Sequence, residues 1–242
     1  SDPCDSSIED SDFYGCLNTT QFKDFFNFVV NEGGMDLLFG VSMDANAYCA
    51  SNESDYVWDG SNFNSWLRDV WDATMLANIW GFELGNEVNN NWAKCNLNVD
   101  LQSHGFSVMR DIIGDVWADS TSSQPLIVGP DTGYYNASSW LPEVLEKISD
   151  VGVDLHAVTH HVYAGITPDN FNDPEVLDSF ITDDLTWYLP PIEEFHPEAQ
   201  IWAGENGPYG GGEDGTCGPD AACGTYMTSL WYADEMANRA KH

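Results

Sequence analysis

Short apolar runs recur along this chain between longer amphipathic segments, and no other feature restricts its architecture so tightly. The runs are Met35 to Val41, Trp80 to Val88, Pro125 to Gly129, Leu155 to Thr159 and Ile201 to Gly204. Between them, Phe63, Trp66, Leu67, Val70 and Trp71 recur at helical spacing, and so do Phe106, Met109, Ile112, Ile113 and Val116. Strand alternating with helix predicts an α/β chain, a parallel sheet with helices outside it. No low-complexity linker marks a second domain, and Gly210-Gly211-Gly212 is too short to serve as one.

Each run ends in polar or small residues: Ser42-Met43-Asp44, Asn86-Glu87, Pro130-Asp131, His160-His161 and Glu205-Asn206. Chemistry gathered at the C-terminal ends of parallel strands is the habit of a (β/α)8 TIM barrel. Five strands cannot close such a barrel. Either three more come from chain outside these 242 residues, or the sheet is an open, doubly wound one.

Successive side chains of a barrel strand point alternately toward the axis and toward the helices. Simple alternation turns Trp80, Phe82 and Leu84 to the helices, and Glu83, Gly85 and Glu87 to the axis. In Ile201-Trp202-Ala203-Gly204-Glu205 it puts small Ala203 beneath Glu205 on the inward face. Two glutamates at different strand ends, Glu87 and Glu205, then converge on one cleft. That is the minimal equipment for glycoside hydrolysis, which needs one protonated acid and one ionised carboxylate. Asn86 stands where it can donate a hydrogen bond to a sugar hydroxyl. The plainer alternative is that both glutamates are surface residues of a chain with 40 Asp plus Glu.

Charge narrows the partners. Seven Lys plus Arg against 40 Asp plus Glu leave a net charge of −33, spread along the chain. Such a field repels nucleic acid, anionic membrane surfaces and highly sulfated polysaccharides, so no nucleic-acid partner is expected. No run of about 18 apolar residues is present to span a bilayer, so no membrane insertion is expected either. The six cysteines lack the paired CxxC spacing of a zinc site, and disulfides, with Cys217 and Cys223 the nearest candidates, fit better than metal. Asn18, Asn52 and Asn136 each begin an N-glycosylation sequon. Cysteines and sequons together predict a secreted, extracellular glycoprotein, with a lysosome-like compartment or the cell surface as alternatives.

An ordered set of motifs now adds what spacing cannot. Phe82-Glu83-Leu84-Gly85-Asn86-Glu87, Gly129-Pro130-Asp131-Thr132-Gly133, His160-His161-Val162-Tyr163, Asp173-Pro174-Glu175-Val176-Leu177-Asp178, and Gly204-Glu205 followed by Tyr209-Gly210-Gly211-Gly212 closely resemble the heparanase-like glycoside hydrolases of family 79. The resemblance runs from about Phe22 to Ala240. It implies a (β/α)8 barrel of which this chain supplies the third to seventh strands and their helices. Residues 1–242 would be the central and C-terminal part of one catalytic barrel, without its first two strands, its last strand and the β-sandwich. Further chain segments completing the barrel would then be partners.

The same resemblance makes Glu87 the general acid/base and Glu205 the nucleophile of a retaining enzyme acting on β-linked glucuronides, with no cofactor and no metal. Retention implies carboxyl groups about 5 to 5.5 Å apart. Tyr209 with the amides of Gly210 and Gly211 would hold the uronate carboxylate, a nest that needs no cationic side chain. His160 and His161 match a site segment in which one side chain orients the nucleophile. The tyrosine that follows the histidines in the family is Val162 here, which leaves that role open for Tyr163. Adjacent histidines in a strand point opposite ways, against a metal pair.

Heparanase-type enzymes that cut sulfated chains carry basic residues after the Gly-Pro-Asp segment, where this chain reads Tyr134-Tyr135-Asn136. The expected substrate is therefore a non-sulfated or weakly charged glucuronide-containing glycan. Two alternatives stand beside it: another retaining β-glycosidase, and a non-catalytic glycan-binding or structural glycoprotein on a truncated barrel.

Overall fold

The computed structural model describes residues 19–43, 57–70, 78–90, 97–133, 136–163, 169–170, 173–207 and 226–239. Helix α1 (Thr19–Phe26) continues as a π-helical stretch, Asn27–Glu32, into strand β1 (Leu37–Val41). Helix α2 (Ser61–Asp69) precedes β2 (Ile79–Leu84), and α3 (Val99–Val116) precedes β3 (Leu126–Val128). Then follow α4 (Ala137–Asp150), β4 (Ala157–Tyr163), α5 (Pro174–Phe195), β5 (Gln200–Gly207) and α6 (Tyr226–Arg239). The strands form one wholly parallel sheet in the order β1-β2-β3-β4-β5. Each α3, α4, α5 and α6 lies beside the next, so the helices follow the sheet along its outer face as in part of a (β/α)8 barrel.

The sequence pattern explains the layers. On α3, Phe106, Met109, Ile113 and Val116 fall on one buried stripe, and the side chain of Asn98 caps the helix by accepting from the Leu101 amide at 2.9 Å. Phe82 is fully buried and meets Phe63 edge-on at 5.0 Å, with Trp66 and Trp117 also against it. Leu84 projects the same way, close to Gly105 of α3. These two residues face the helices as alternation requires.

Trp80 does not. The pairing of β1 with β2 slips between Leu37 and Leu38, whose partners are Ile79 and Gly81, so Trp80 is the extra residue of a bulge. Its ring stacks on Trp202 of β5 at 5.4 Å and 12°, with His156 edge-on to both. Two strands separate β2 from β5, so this contact spans the concave side of the sheet. A second bulge, between His160 and His161, leaves Gly204 without a partner: His160 is opposite Ala203 and His161 opposite Glu205. Hence Trp202, not Ala203, lies inward below Glu205. The two bulges shift the phase of alternation, which a strict period of two cannot anticipate.

Replacing Phe82 by Ala removes a buried ring from between β2 and two helices. We expect it to lower unfolding free energy by about 3–5 kcal/mol, read as a fall in denaturant midpoint at unchanged slope.

Candidate active site

The strand ends build a cluster of acids around one imidazole. Gly129 still bonds β4 through both its amide and its carbonyl, the ladder between β3 and β4 is then interrupted at Pro130-Asp131, and it resumes where Thr132 bridges His160. In the gap, Asp131 takes a left-handed backbone (φ 54°), its amide donates to Thr159 Oγ1 at 2.9 Å, and its carbonyl accepts from the Glu87 amide at 2.9 Å. Glu87 is itself left-handed (φ 46°). Non-glycine residues adopt this conformation uncommonly, Asp more readily than Glu, and the third such residue among those described is Asn136, at the start of α4.

Side chains lock the two turns together. Asn89 donates to the Gly133 carbonyl and accepts from the Gly133 amide, both at 2.8 Å. Gly133 has no room for a side chain, because a Cβ there would lie 2.4 Å from Asn90. From behind, Gln102 of α3 donates to the Pro130 carbonyl at 3.1 Å and accepts from Trp140 Nε1 at 3.0 Å. The positions of Glu87 and Asp131 thus follow from contacts to α3, α4 and β4.

Into this frame β4 projects His161, whose side chain is 0% exposed. Its Nε2 lies 2.9 Å from Asp131 Oδ1, its Nδ1 lies 2.9 Å from Glu87 Oε1, and the same Nδ1 lies 3.4 Å from Glu205 Oε2. Burial alone opposes charge on the ring. The hydrogen bonds to Asp131 and Glu87 and the nearby Asp131 and Glu205 carboxylates outweigh it, and push the His161 pKa up from 6.5 to about 10. Tyr163, two residues on, donates its hydroxyl to Glu205 Oε2 at 2.7 Å; burial first, and that bond second, raise its pKa, so the phenol stays protonated. Accessibility rises outward through the cluster: Asp131 is 7% exposed, Glu87 20% and Glu205 46%. Of these three carboxylates, Glu205 and Glu87 are the more accessible.

Behind them lies a third glutamate. Glu83, inward on β2, has its pKa raised from 4.5 to about 7, first by burial and then by the Asp131 charge, despite a hydrogen bond from the Thr159 side chain. Its Oε1 is buried and has no hydrogen-bond partner among the described residues. Gly204 completes the packing: a Cβ there would lie 2.6 Å from Asp131 Oδ1, the oxygen that also meets His161.

The structure therefore gathers Glu87, Glu205, His161 and Tyr163 of the residues read from the sequence. His160 points to the opposite face, fully buried against the Tyr188 ring of α5 at 4.3 Å, so of the two adjacent histidines it is His161 that faces the carboxylates. Asn86 is exposed in the turn before Glu87, and Asn136 is exposed at the start of α4. Tyr209, Gly210, Gly211, Asn18, Asn52, Cys217 and Cys223 lie outside the described residues. No group of acids, histidines and cysteines arranged to hold a metal ion occurs among the described residues. Sequence reading missed Asp131, Thr159 and Glu83 as site residues. The signals were present in the Gly-Pro-Asp break and in a glutamate set inward within an apolar strand.

Comparison with known proteins gives a concordant result. The pattern of "Glycosyl hydrolase family 79, N-terminal domain" matches residues 10–237. Heparanase-like proteins 1 and 2 of Arabidopsis thaliana are each 26% identical to the chain, over 94% of it and 41% of their own length. Heparanase of Gallus gallus is 28% identical over 92% of the chain and 40% of its own length. The chain spans about two fifths of these relatives. Among solved structures, a Paenibacillus polymyxa xyloglucanase of glycoside hydrolase family 44 shares the fold, with a TM-score of 0.53 at 9% identity over 78% of this chain and 53% of that one.

Two expectations follow from the cluster. Glu83 holds its proton more tightly when folded, so its contribution to stability falls as pH rises from 4.5 through about 7; His161 likewise contributes stability fully present below 6.5 and lost as pH rises through about 10. The difference in unfolding free energy between Glu83→Gln and the native protein should thus move in the variant's favour between those first two pH values, as chemical denaturation at several pH values will show. Gly204→Ala should lower stability more than a typical surface substitution, by about 1–3 kcal/mol, because the added methyl displaces Asp131 from His161.

Proposed function

Because the chain belongs to glycosyl hydrolase family 79, we propose that it cleaves β-linked glucuronides with retention of configuration, with Glu205 as nucleophile and Glu87 as general acid/base. The observation that carries this reading is the convergence of both carboxylates on one nitrogen: His161 Nδ1 lies 2.9 Å from Glu87 Oε1 and 3.4 Å from Glu205 Oε2. Those two oxygens can be no farther apart than the sum of these distances. Such an approach of one oxygen from each carboxylate is compatible with a retaining pair, whose carboxyl groups stand roughly 5 to 5.5 Å apart.

In the first half of the reaction, Glu205 attacks the anomeric carbon while Glu87 protonates the departing oxygen. In the second, Glu87 takes a proton from water as that water displaces Glu205. The Tyr163 hydroxyl fixes Glu205 Oε2, leaving the other oxygen to attack. Asn86, beside Glu87, is positioned in sequence for a sugar hydroxyl. Tyr209, Gly210 and Gly211 would receive the uronate carboxylate through backbone amides, the anion receptor best suited to a chain with seven Lys plus Arg. With a net charge of −33, the preferred glycan is non-sulfated or weakly sulfated. On this reading the chain supplies the third to seventh strands of an eight-stranded barrel. It works as an exported glycoprotein with disulfides, in keeping with its sequons and six cysteines.

The test is release of 4-nitrophenol from the β-glucuronide, β-glucoside and β-xyloside by the full natural protein. Glucuronide turnover should dominate, and Glu205→Ala should reduce it by on the order of 10⁴-fold or more. Preference for the glucoside or xyloside would replace the uronate by a neutral sugar. Silence across the panel would favour a glycan-binding or structural role.

A further inference from the structure

His161 has no route to a substrate, since its side chain is 0% exposed, yet both ring nitrogens are engaged by carboxylates. An ionised Asp131 can only accept, so Nε2 carries a hydrogen directed at Oδ1, 2.9 Å away. The 2.9 Å line from Nδ1 to Glu87 Oε1 then has room for one further proton, on nitrogen or on oxygen. The groups facing the ring are Glu83 from β2, Glu87 from the turn after it, Asp131 from the turn after β3, and Glu205 from β5, which also carries the Tyr163 hydrogen bond.

We propose that His161 is a positioning residue that stores the proton Glu87 delivers: the imidazole and Glu87 hold one proton between them, and Asp131 anchors the far side of the ring. The proposal rests on Glu87 being the general acid/base. As the bond between the anomeric carbon and the leaving oxygen breaks, the stored proton passes through Glu87 to that oxygen, and Glu205 becomes an uncharged ester. His161 is left as neutral imidazole with its Nε2 hydrogen on Asp131. The loss of the Glu205 charge removes one of the anions that favour imidazolium, so the ring gives up its proton when the reaction requires it. When water displaces the ester, the water's proton returns to the pair as Glu205 recovers its charge. Each half-reaction moves one proton, and the cycle ends as it began.

Storage also resolves a conflict in the requirements on Glu87. A general acid must enter the reaction with a proton available, while a neighbouring cation drives a carboxyl toward ionisation. If the proton belongs to the pair, both conditions hold, and its titration is a property of the pair rather than of either residue. The raised pKa of His161 is in keeping with this.

The variant to make is His161→Asn, whose amide can still donate to Glu87 but does not titrate in the working pH range. The alkaline limb of the kcat/KM profile on aryl β-glucuronides should move to lower pH by about one unit or more. The loss of kcat/KM should be at least about tenfold greater for the phenyl glucuronide, a poor leaving group, than for 2,4-dinitrophenyl, which departs without an acid. A merely structural role would depress both substrates alike and leave the profile's shape unchanged, and that result overturns the proposal. Nitrogen-15 chemical shifts of the His161 ring in the resting protein provide a reading independent of turnover. Protonation persisting well above neutral pH and reduced in Glu87→Gln supports the shared proton. Titration near the ordinary histidine value, indifferent to that substitution, refutes it even if the glucuronide is cleaved. A silent substrate panel overturns the glucuronidase reading and, with it, delivery of the proton to a leaving group, while the nitrogen-15 titration still decides whether His161 and Glu87 share one.

Discussion

One buried imidazole holds the strand ends in register. A charge taken out of water is tolerated only with partners, and leaving such a charge unpaired costs several kcal/mol. His161, on β4, meets Asp131 from the β3 turn, Glu87 from the β2 turn and Glu205 from β5, so a single ring cross-links the termini of four consecutive strands. Much of the local backbone reads as accommodation to it. The left-handed residues Glu87 and Asp131 turn their carboxyls toward the ring, and Gly204 leaves space for the Asp131 oxygen that the ring binds.

The cluster divides its acids by depth. Asp131 lies within, against His161 and Thr159; Glu83 and Glu87 are partly exposed, and Glu205 is the most exposed of the four. In a chain with 40 acidic residues, position thus distinguishes the few carboxyls gathered around His161 from the rest. The raised pKa of Glu83 follows first from burial of its carboxyl and then from the neighbouring Asp131 charge.

The architecture was legible because alternation of apolar runs with amphipathic segments is a long-range pattern, robust to errors of a few residues. All five strands lie where those runs are, although β4 extends to Tyr163 and β5 to Gly207, carrying His161, Tyr163 and Glu205 inside the sheet. Glu87 and Glu205 were legible as carboxylates at strand ends. The inward and outward faces of Trp80, Trp202 and Ala203 were not, because a bulge adds one residue and reverses the phase while leaving composition unchanged. Asp131 was visible at a strand end but its contact with His161 was not, because its orientation comes from an interrupted ladder and a left-handed turn, which periodicity does not encode.

The sequential order of the sheet also sets a timetable. Because every strand is laid beside its predecessor, the contacts of His161 with Glu87 and Asp131 close loops of 74 and 30 residues, all within chain preceding Ala164. A ribosome releasing the chain from its N-terminal end therefore exposes the whole of that triad before it has made β5. Glu205 arrives 42 residues after Tyr163, at a partner already waiting. The half of the cleft that holds His161, Glu87 and Asp131 can therefore be complete in the nascent chain before the strand that carries Glu205 has been made.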